Sequence, residues 1–301
     1  MPERIIGRFG HCSRIWALLL CLGMASLELA AQGIRYSPRW FGAYAQPVPE
    51  LQDAQIPAMP SVEGRVMTTI EGAEQSQAMY LDVEIPLIPE VVSMRLYGYP
   101  IDRYAVPADV AAERGSKSLQ GSSLGDLYLQ SRIRLLRERV GWRPNLVLDI
   151  TLKTAAATSV APRRSFDTPG YYFHLEGGKS YRLSHNGLWR ELRLSGMLGF
   201  MCWETSGSKQ DDAYLYGLSL ALSRPKLSCG LELSGYTGWL YRHDPVYGDR
   251  PITLRMRTSY TLGPRLRLLA GYERGLRDYP YSLLSLGLRW QMLWSVSNLL
   301  H

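Results

Sequence analysis

Between Met79 and Leu87 every odd position is apolar (Met79, Leu81, Val83, Ile85, Leu87), while Tyr80, Asp82 and Glu84 hold even ones. Successive side chains of a β-strand point to opposite faces, so this segment reads as a strand with one greasy face and one wet face. The period of two returns downstream, with nothing helical between. Leu127, Leu129, Ile133 and Leu135 oppose Asp126, Tyr128, Gln130, Arg132 and Arg134, and Leu146, Leu148, Ile150 and Leu152 oppose Asn145, Asp149, Thr151 and Lys153. Leu231 and Leu233 flank Glu232, Leu254 and Met256 alternate with Arg255 and Arg257, and Leu284, Leu286, Leu288 and Trp290 alternate with Ser285, Gly287 and Arg289. Strands with hydrocarbon on one side and water or packed polar groups on the other have this pattern, which predicts an all-β fold, an antiparallel up-and-down transmembrane β-barrel.

About twelve strands are expected, over 64–71, 78–88, 91–99, 124–137, 144–154, 170–183, 188–203, 212–223, 226–238, 250–261, 265–274 and 280–292. Short links (88–90, 138–143, 184–187, 224–225, 262–264) alternate with longer ones (72–77, 100–123, 155–169, 204–211, 239–249, 275–279). Bacterial barrels place short turns on the periplasmic side and long loops outside. A soluble sandwich also alternates along its strands, but gives no reason for loop lengths to alternate by side. A charge on the lipid face at the bilayer midplane costs about 2–4 kcal/mol, so Lys179, which falls on the apolar parity, calls for a bulge at Gly177-Gly178 that resets the register. Tyr and Trp (19 and 8) outnumber Phe (5), and Trp189, Trp203, Trp239, Tyr171, Tyr214, Tyr260 and Trp290 lie near strand ends, as interfacial girdles require.

The N-terminus predicts an export signal over residues 1–31: Arg4, Arg8 and Arg14 precede a charge-free apolar stretch from Ile15 to Leu27, and Leu29-Ala30-Ala31 ends in small residues. That segment carries three Arg and two Glu, so its removal lowers the formal charge from +7 to +6. No compact basic patch interleaved with aromatics accompanies the charge, which argues against nucleic acid as a partner. Only Cys202 and Cys229 remain after the signal, on runs separated by a third, so no disulfide is expected. No later stretch is long and apolar enough for a membrane helix. Residues 32–63, with Pro38, Pro47, Pro49, Pro57 and Pro60, read as an irregular periplasmic leader, 64–294 as the barrel and 295–301 as a tail.

The wet parity defines the candidate lumen lining. It holds Asp82, Glu84, Asp126, Asp149, Glu176, Glu191, Glu232 and Glu273 against Arg95, Arg132, Arg134, Lys153, Arg193, Arg255, Arg257, Arg267 and Arg289, together with His174. The two signs nearly balance, so in a narrow twelve-stranded lumen most should pair and fill space. A path for anions needs the Arg and Lys to form a continuous ladder.

Ser184-His185-Asn186-Gly187 is loosely similar to the His-x-Ser-Asn-Gly pattern of outer-membrane phospholipase A. That chemistry needs Ser and His on one face; here they are adjacent and point apart, and Asn-Gly between two strands is a hairpin signal. His174 and Glu176 share a face without an evident third metal ligand. His243-Asp244 with Asp249 offers a possible cation contact, and Arg163-Arg164 a contact to lipopolysaccharide, against the default of solvated surface. No phosphate loop, zinc spacing or Gly-x-Ser-x-Gly elbow occurs, and no cofactor or catalytic residue is assigned.

Segments such as Gly125-Asp126-Leu127-Tyr128-Leu129 and Leu146 to Thr154 resemble those of uncharacterised Gram-negative outer-membrane β-barrels over about residues 64–294. The resemblance implies the outer membrane as location, with its lipid, lipopolysaccharide and the barrel-insertion machinery as partners. Such barrels commonly end on an aromatic residue; here Trp290 and Trp294 precede Ser295 to His301, a departure that weakens the insertion signal. The expected function is a narrow pore or uptake protein for small polar solutes. The alternatives are a surface-interaction barrel acting through loops 100–123 and 155–169, and a lipid-acting enzyme of the phospholipase type.

Overall fold

The computed structural model describes residues 39–71, 74–158, 168–184, 186–203, 212–238, 248 and 250–292. The expected signal at 1–31, the tail at 295–301, Arg163-Arg164, His185, Trp239, His243-Asp244 and Asp249 lie outside the described residues.

Twelve antiparallel strands form the wall: β1 (Ser61–Glu71), β2 (Gln75–Ile88), β3 (Val92–Ala105), β5 (Leu127–Leu136), β6 (Asn145–Lys153), β7 (Gly170–Arg182), β8 (Glu191–Trp203), β9 (Asp212–Arg224), β10 (Leu227–Gly238), β11 (Ile252–Thr261), β12 (Leu266–Arg277) and β13 (Ser282–Gln291). Each pairs with its neighbours, and β1 pairs with β13 from Ser61↔Gln291 to Glu71↔Ser282, so the sheet closes on itself. Closure leaves no unpaired strand edge inside a solvent that offers no hydrogen bonds. The fold is the closed antiparallel barrel expected from the alternation.

Alternation becomes the two faces of the cylinder. On β2, Met79 and Leu81 face out, each 38% exposed, while Ala78, Tyr80 and Asp82 are buried inside. Outward Val66, Leu198, Leu218 and Leu286 are more than half exposed, and similar residues recur around the ring. Soluble monomers rarely present an apolar belt of this extent, which suits hydrocarbon contact. Among the described residues no helix is long and apolar enough to cross a membrane.

Strands β1 and β13 meet at Ser61 and Gln291, at the end where the links are 89–91, 137–144, 183–190, 225–226 and 262–265. We call this the turn end. The opposite loop end carries the longest connections, 106–126, 154–169 and 239–251. Its links 72–74 and 278–281 are as short as the turns beside them, because β2 and β12 run farther than the alternation of side chains marked. The 106–126 connection is folded rather than open. There β3 runs on to Ala105, a short helix α1 (Ala108–Glu113) follows, and β4 (Gln120–Ser123) pairs back onto β3. The Arg114 guanidinium anchors this excursion to the rim through Glu74 (2.5 Å) and the Tyr281 hydroxyl (3.2 Å).

Two expectations about the wall are corrected. No bulge occurs at Gly177-Gly178: β7 pairs with β8 in unbroken register from Gly170↔Trp203 to Arg182↔Glu191. Lys179 lies just beyond the last β6 partner, where its ammonium reaches the carbonyls of Arg139 (2.6 Å) and Arg143 (3.2 Å) in the adjacent turn. A long amphipathic side chain near a strand end can keep its charge at a polar rim without a change of register. Trp203 is no girdle residue; it is buried inside the barrel, with the Lys153 ammonium 5.5 Å from its ring.

Candidate functional site

Residues 39–60, read from sequence as part of a leader outside the barrel, lie within it. Phe41, Ala43, Ala45, Val48, Leu51 and Ala54 are all at most 3% exposed. The composition of the segment explains how it is held. Pro47, Pro49 and Pro57 bring no N–H, so the segment offers chiefly carbonyls, and the wall answers with donors.

Tyr281 and Tyr279 hydroxyls donate to Phe41 O (2.5 Å) and Ala43 O (2.7 Å). Farther along, Arg255 donates to Val48 O (2.6 Å), Arg257 to Leu51 O (3.2 Å), Arg193 to Asp53 O (2.8 Å) and Arg132 to Gln55 O (2.8 Å). Two N–H groups find one acceptor: Gln52 and Ala54 donate to the two carboxylate oxygens of Glu176, each at 2.9 Å. Most of these bonds address the main chain, so the wall grips the backbone of the segment rather than its side chains.

A tight turn sits at the centre of the grip. Gln55 N–H donates to Gln52 O (3.2 Å), and Asp53 and Ala54 have φ of 54° and 50°. Positive φ at both central positions marks a type I′ turn, which for alanine costs of order 1–2 kcal/mol. Glu176, together with Ser219, whose hydroxyl donates to Asp53 Oδ1 at 2.7 Å, holds it there. The wall is also shaped to receive the segment. A Cβ on Gly178 would lie 2.9 Å from Asp53 O and 3.1 Å from Ala54 Cβ, and one on Gly217 would lie 2.6 Å from Leu51 Cδ1. Gly178 is therefore clearance for the turn, not the bulge it resembles in sequence.

Of the residues assigned to the lumen, Asp82, Arg95, Asp126, Arg132, Asp149, Lys153, His174, Glu176, Arg193, Glu232 and Arg255 are buried inside the barrel. Glu84, Arg134, Glu191, Arg257, Glu273 and Arg289 are partly exposed, and Arg267 is exposed. Opposite signs meet across strands. Arg95 pairs with Asp82 (2.6 Å), Lys153 with Asp126 (2.6 Å), and Arg255 with Glu273 (2.7 Å) and Glu232 (2.8 Å). Arg257 reaches Glu232 (2.5 Å), Arg193 reaches Glu138 (3.0 Å), Arg134 reaches Glu90 (3.6 Å) and Arg289 reaches Glu63 (2.5 Å). The Ser180 hydroxyl donates to Glu191 (3.2 Å). Such pairs fill space at a desolvation cost, and breaking one leaves a buried charge.

Asp149, missing from the sequence view of a metal site, joins His174 and Glu176, with ligand atoms of the three within 4.8 Å of one another. Arg132 already neutralises them, at 2.7 Å from Asp149 and 3.8 Å from Glu176, and Glu176 holds the turn. The donor set fits a guanidinium rather than a metal ion.

Toward the loop end, inward tyrosines fill the lumen: Tyr80, Tyr97, Tyr99, Tyr128, Tyr172 and Tyr236 share the parity of the charges. Tyr97 stacks on Tyr128 (centroids 4.9 Å apart), and Tyr97 and Tyr172 share a hydroxyl hydrogen bond of 2.6 Å. The sequence alternation already puts Tyr80 and Tyr128 on the wet face, and the same rule extends to the other four; of the rings expected as girdles, Tyr214, Tyr260 and Trp290 are exposed on the outside. Only about 40 Å³ remains beneath the tyrosines, room for little more than a water. Toward the turn end lies a cavity of about 440 Å³ between the inner segment and the wall, lined by Arg65, Arg257, Arg267, Arg289, Glu63 and Ser285 among others. Ser184 belongs to a tight turn at that end, its carbonyl accepting Gly187 N–H (3.1 Å).

No family model matches the chain, and no curated protein sequence does. Among solved structures it is similar to the COG4313 outer membrane channel from Pseudomonas putida F1, with 12% identity, a TM-score of 0.55 and coverage of 83% of this chain and 98% of that one. The NanC porin (8% identity, TM-score 0.49, 77% of this chain and 100% of that one) and the KdgM porin (9%, 0.47, 77% and 99%) are also similar. The chain thus has the outer-membrane β-barrel fold.

Proposed function

We propose that this protein is an outer-membrane pore for small polar solutes, closed at rest by its own residues 39–60. The observation that carries the reading is the cavity of about 440 Å³, charged on its walls and stopped by the inner segment. The outward apolar belt contacts lipid and lipopolysaccharide, and assembly passes through the barrel-insertion machinery. Small anions are the favoured solutes: Arg267 faces the cavity directly opposite Arg289 in the β12–β13 register, and one carboxylate, Glu63, stands beside the pair. Like charges directly opposite repel and attract a counter-ion.

Planar-bilayer recording on the protein with Asp53→Cys and Ser219→Cys tests the reading, because these side chains meet at 2.7 Å. Oxidation ties the segment to β9 and is expected to keep conductance low; reduction is expected to give larger steps. Refolded protein that passes no current in either state removes the pore.

A further inference from the structure

The inner segment passes through the barrel once, in one direction. Phe41 and Ala43 are tied to Tyr281 and Tyr279, which precede the first residue of β13 at the loop end. Phe41 also belongs to the cluster with Met201, Trp203, Ala213 and Leu215, at the loop-end termini of β8 and β9. Val48, Leu51, Asp53 and Gln55 follow down the axis on Arg255, Arg257, Arg193 and Arg132. Pro57 O then accepts the N–H of Glu90, in a turn-end link, and Pro60 O accepts that of Met292, just past β13. Residues 39–60 can reach at most roughly 70 Å when extended, ample for an apolar band of about 25 Å even with turns at 42–45 and 52–55.

We infer that the inner segment begins at the outer mouth of the barrel and ends at the periplasmic one, so that Arg39 is presented on the outer face of the cell. This rests on the outer-membrane reading above, with long loops outside. It requires that the Arg39 end of the segment cross the membrane during assembly, while the wall closes around it. The backbone-directed grip suits such a passage, since carbonyls are alike whatever side chains pass.

Single cysteines labelled with a membrane-impermeant maleimide on intact Gram-negative cells, and again after lysis, test the inference. Arg39→Cys is the probe; Ser118→Cys in the 106–126 excursion and Arg265→Cys at the turn end are references, all exposed. The unsubstituted chain, with Cys202 buried and Cys229 partly so, sets the background. Arg39→Cys and Ser118→Cys are expected to label on intact cells, and Arg265→Cys only after lysis. Labelling of Ser118→Cys without Arg39→Cys overturns the inference and leaves the membrane reading standing. Labelling of Arg265→Cys without Ser118→Cys overturns the orientation, and the inference falls with it.

Discussion

Glu176 and Ala54 stand 122 positions apart, yet a carboxylate oxygen of the first accepts the backbone N–H of the second at 2.9 Å. The other oxygen takes Gln52 N–H at the same distance, so one buried side chain on β7 fixes the strained turn of the inner segment. Arg132 and His174 stand on its other side, at 3.8 and 3.3 Å. Wall and segment are therefore joined where a charge, a turn and two backbone donors coincide.

Glu176→Gln is expected to loosen the segment. The amide keeps one acceptor, so one N–H of the turn loses its partner, at about 1–3 kcal/mol, and Arg132 loses part of its counter-charge. Single-channel recording should find more frequent open events. The temperature at which the folded gel band is lost should fall. An unchanged channel record would mean that the segment is not what closes the lumen.

Gly217 and Leu51 form a second test, free of charge. Gly217→Ala puts a methyl 2.6 Å from Leu51 Cδ1 and 2.9 Å from Met197 Cε. Overpacking of this kind costs about 1–3 kcal/mol. Leu51→Ala should relieve it, so a double-mutant cycle on thermal stability should show coupling of at least about 0.5 kcal/mol. Strict additivity would separate the two residues.

Arg267→Glu changes the cavity and little else, since this side chain is exposed. Stability is expected to move by no more than about 0.5 kcal/mol. The reversal potential in a salt gradient should shift toward cation preference. A selectivity indifferent to the substitution would deny this wall a part in permeation.

Acid should weaken the turn at 137–144. Burial tends to raise the Glu138 carboxyl, but the Ser180 N–H bond and Arg193 outweigh it and hold the group below the usual carboxylate range. A lowered folded-state value means stability present above the ordinary carboxylate pKa and lost as pH falls through the lowered one. Glu138→Gln should flatten that acid limb in a pH series of melting temperatures. Parallel curves for both proteins would assign the acid sensitivity elsewhere.

The barrel was legible from sequence because its rule is local. Met79, Asp82, Leu152 and Lys153 each take a face from immediate neighbours, as strand geometry dictates with a period of two. The same parity assigned the charges of the lumen lining, and it put Tyr80 and Tyr128 on the face where the structure buries them. The inner segment has no such period. Its prolines and small residues read as irregular chain, and the partners of its carbonyls, such as Arg255 for Val48 at a separation of 207, come from remote strands. Local periodicity thus determined the cylinder and its two faces. Closure in three dimensions decided what lies inside, because only then do backbone groups without local partners meet donors and acceptors from distant parts of the chain.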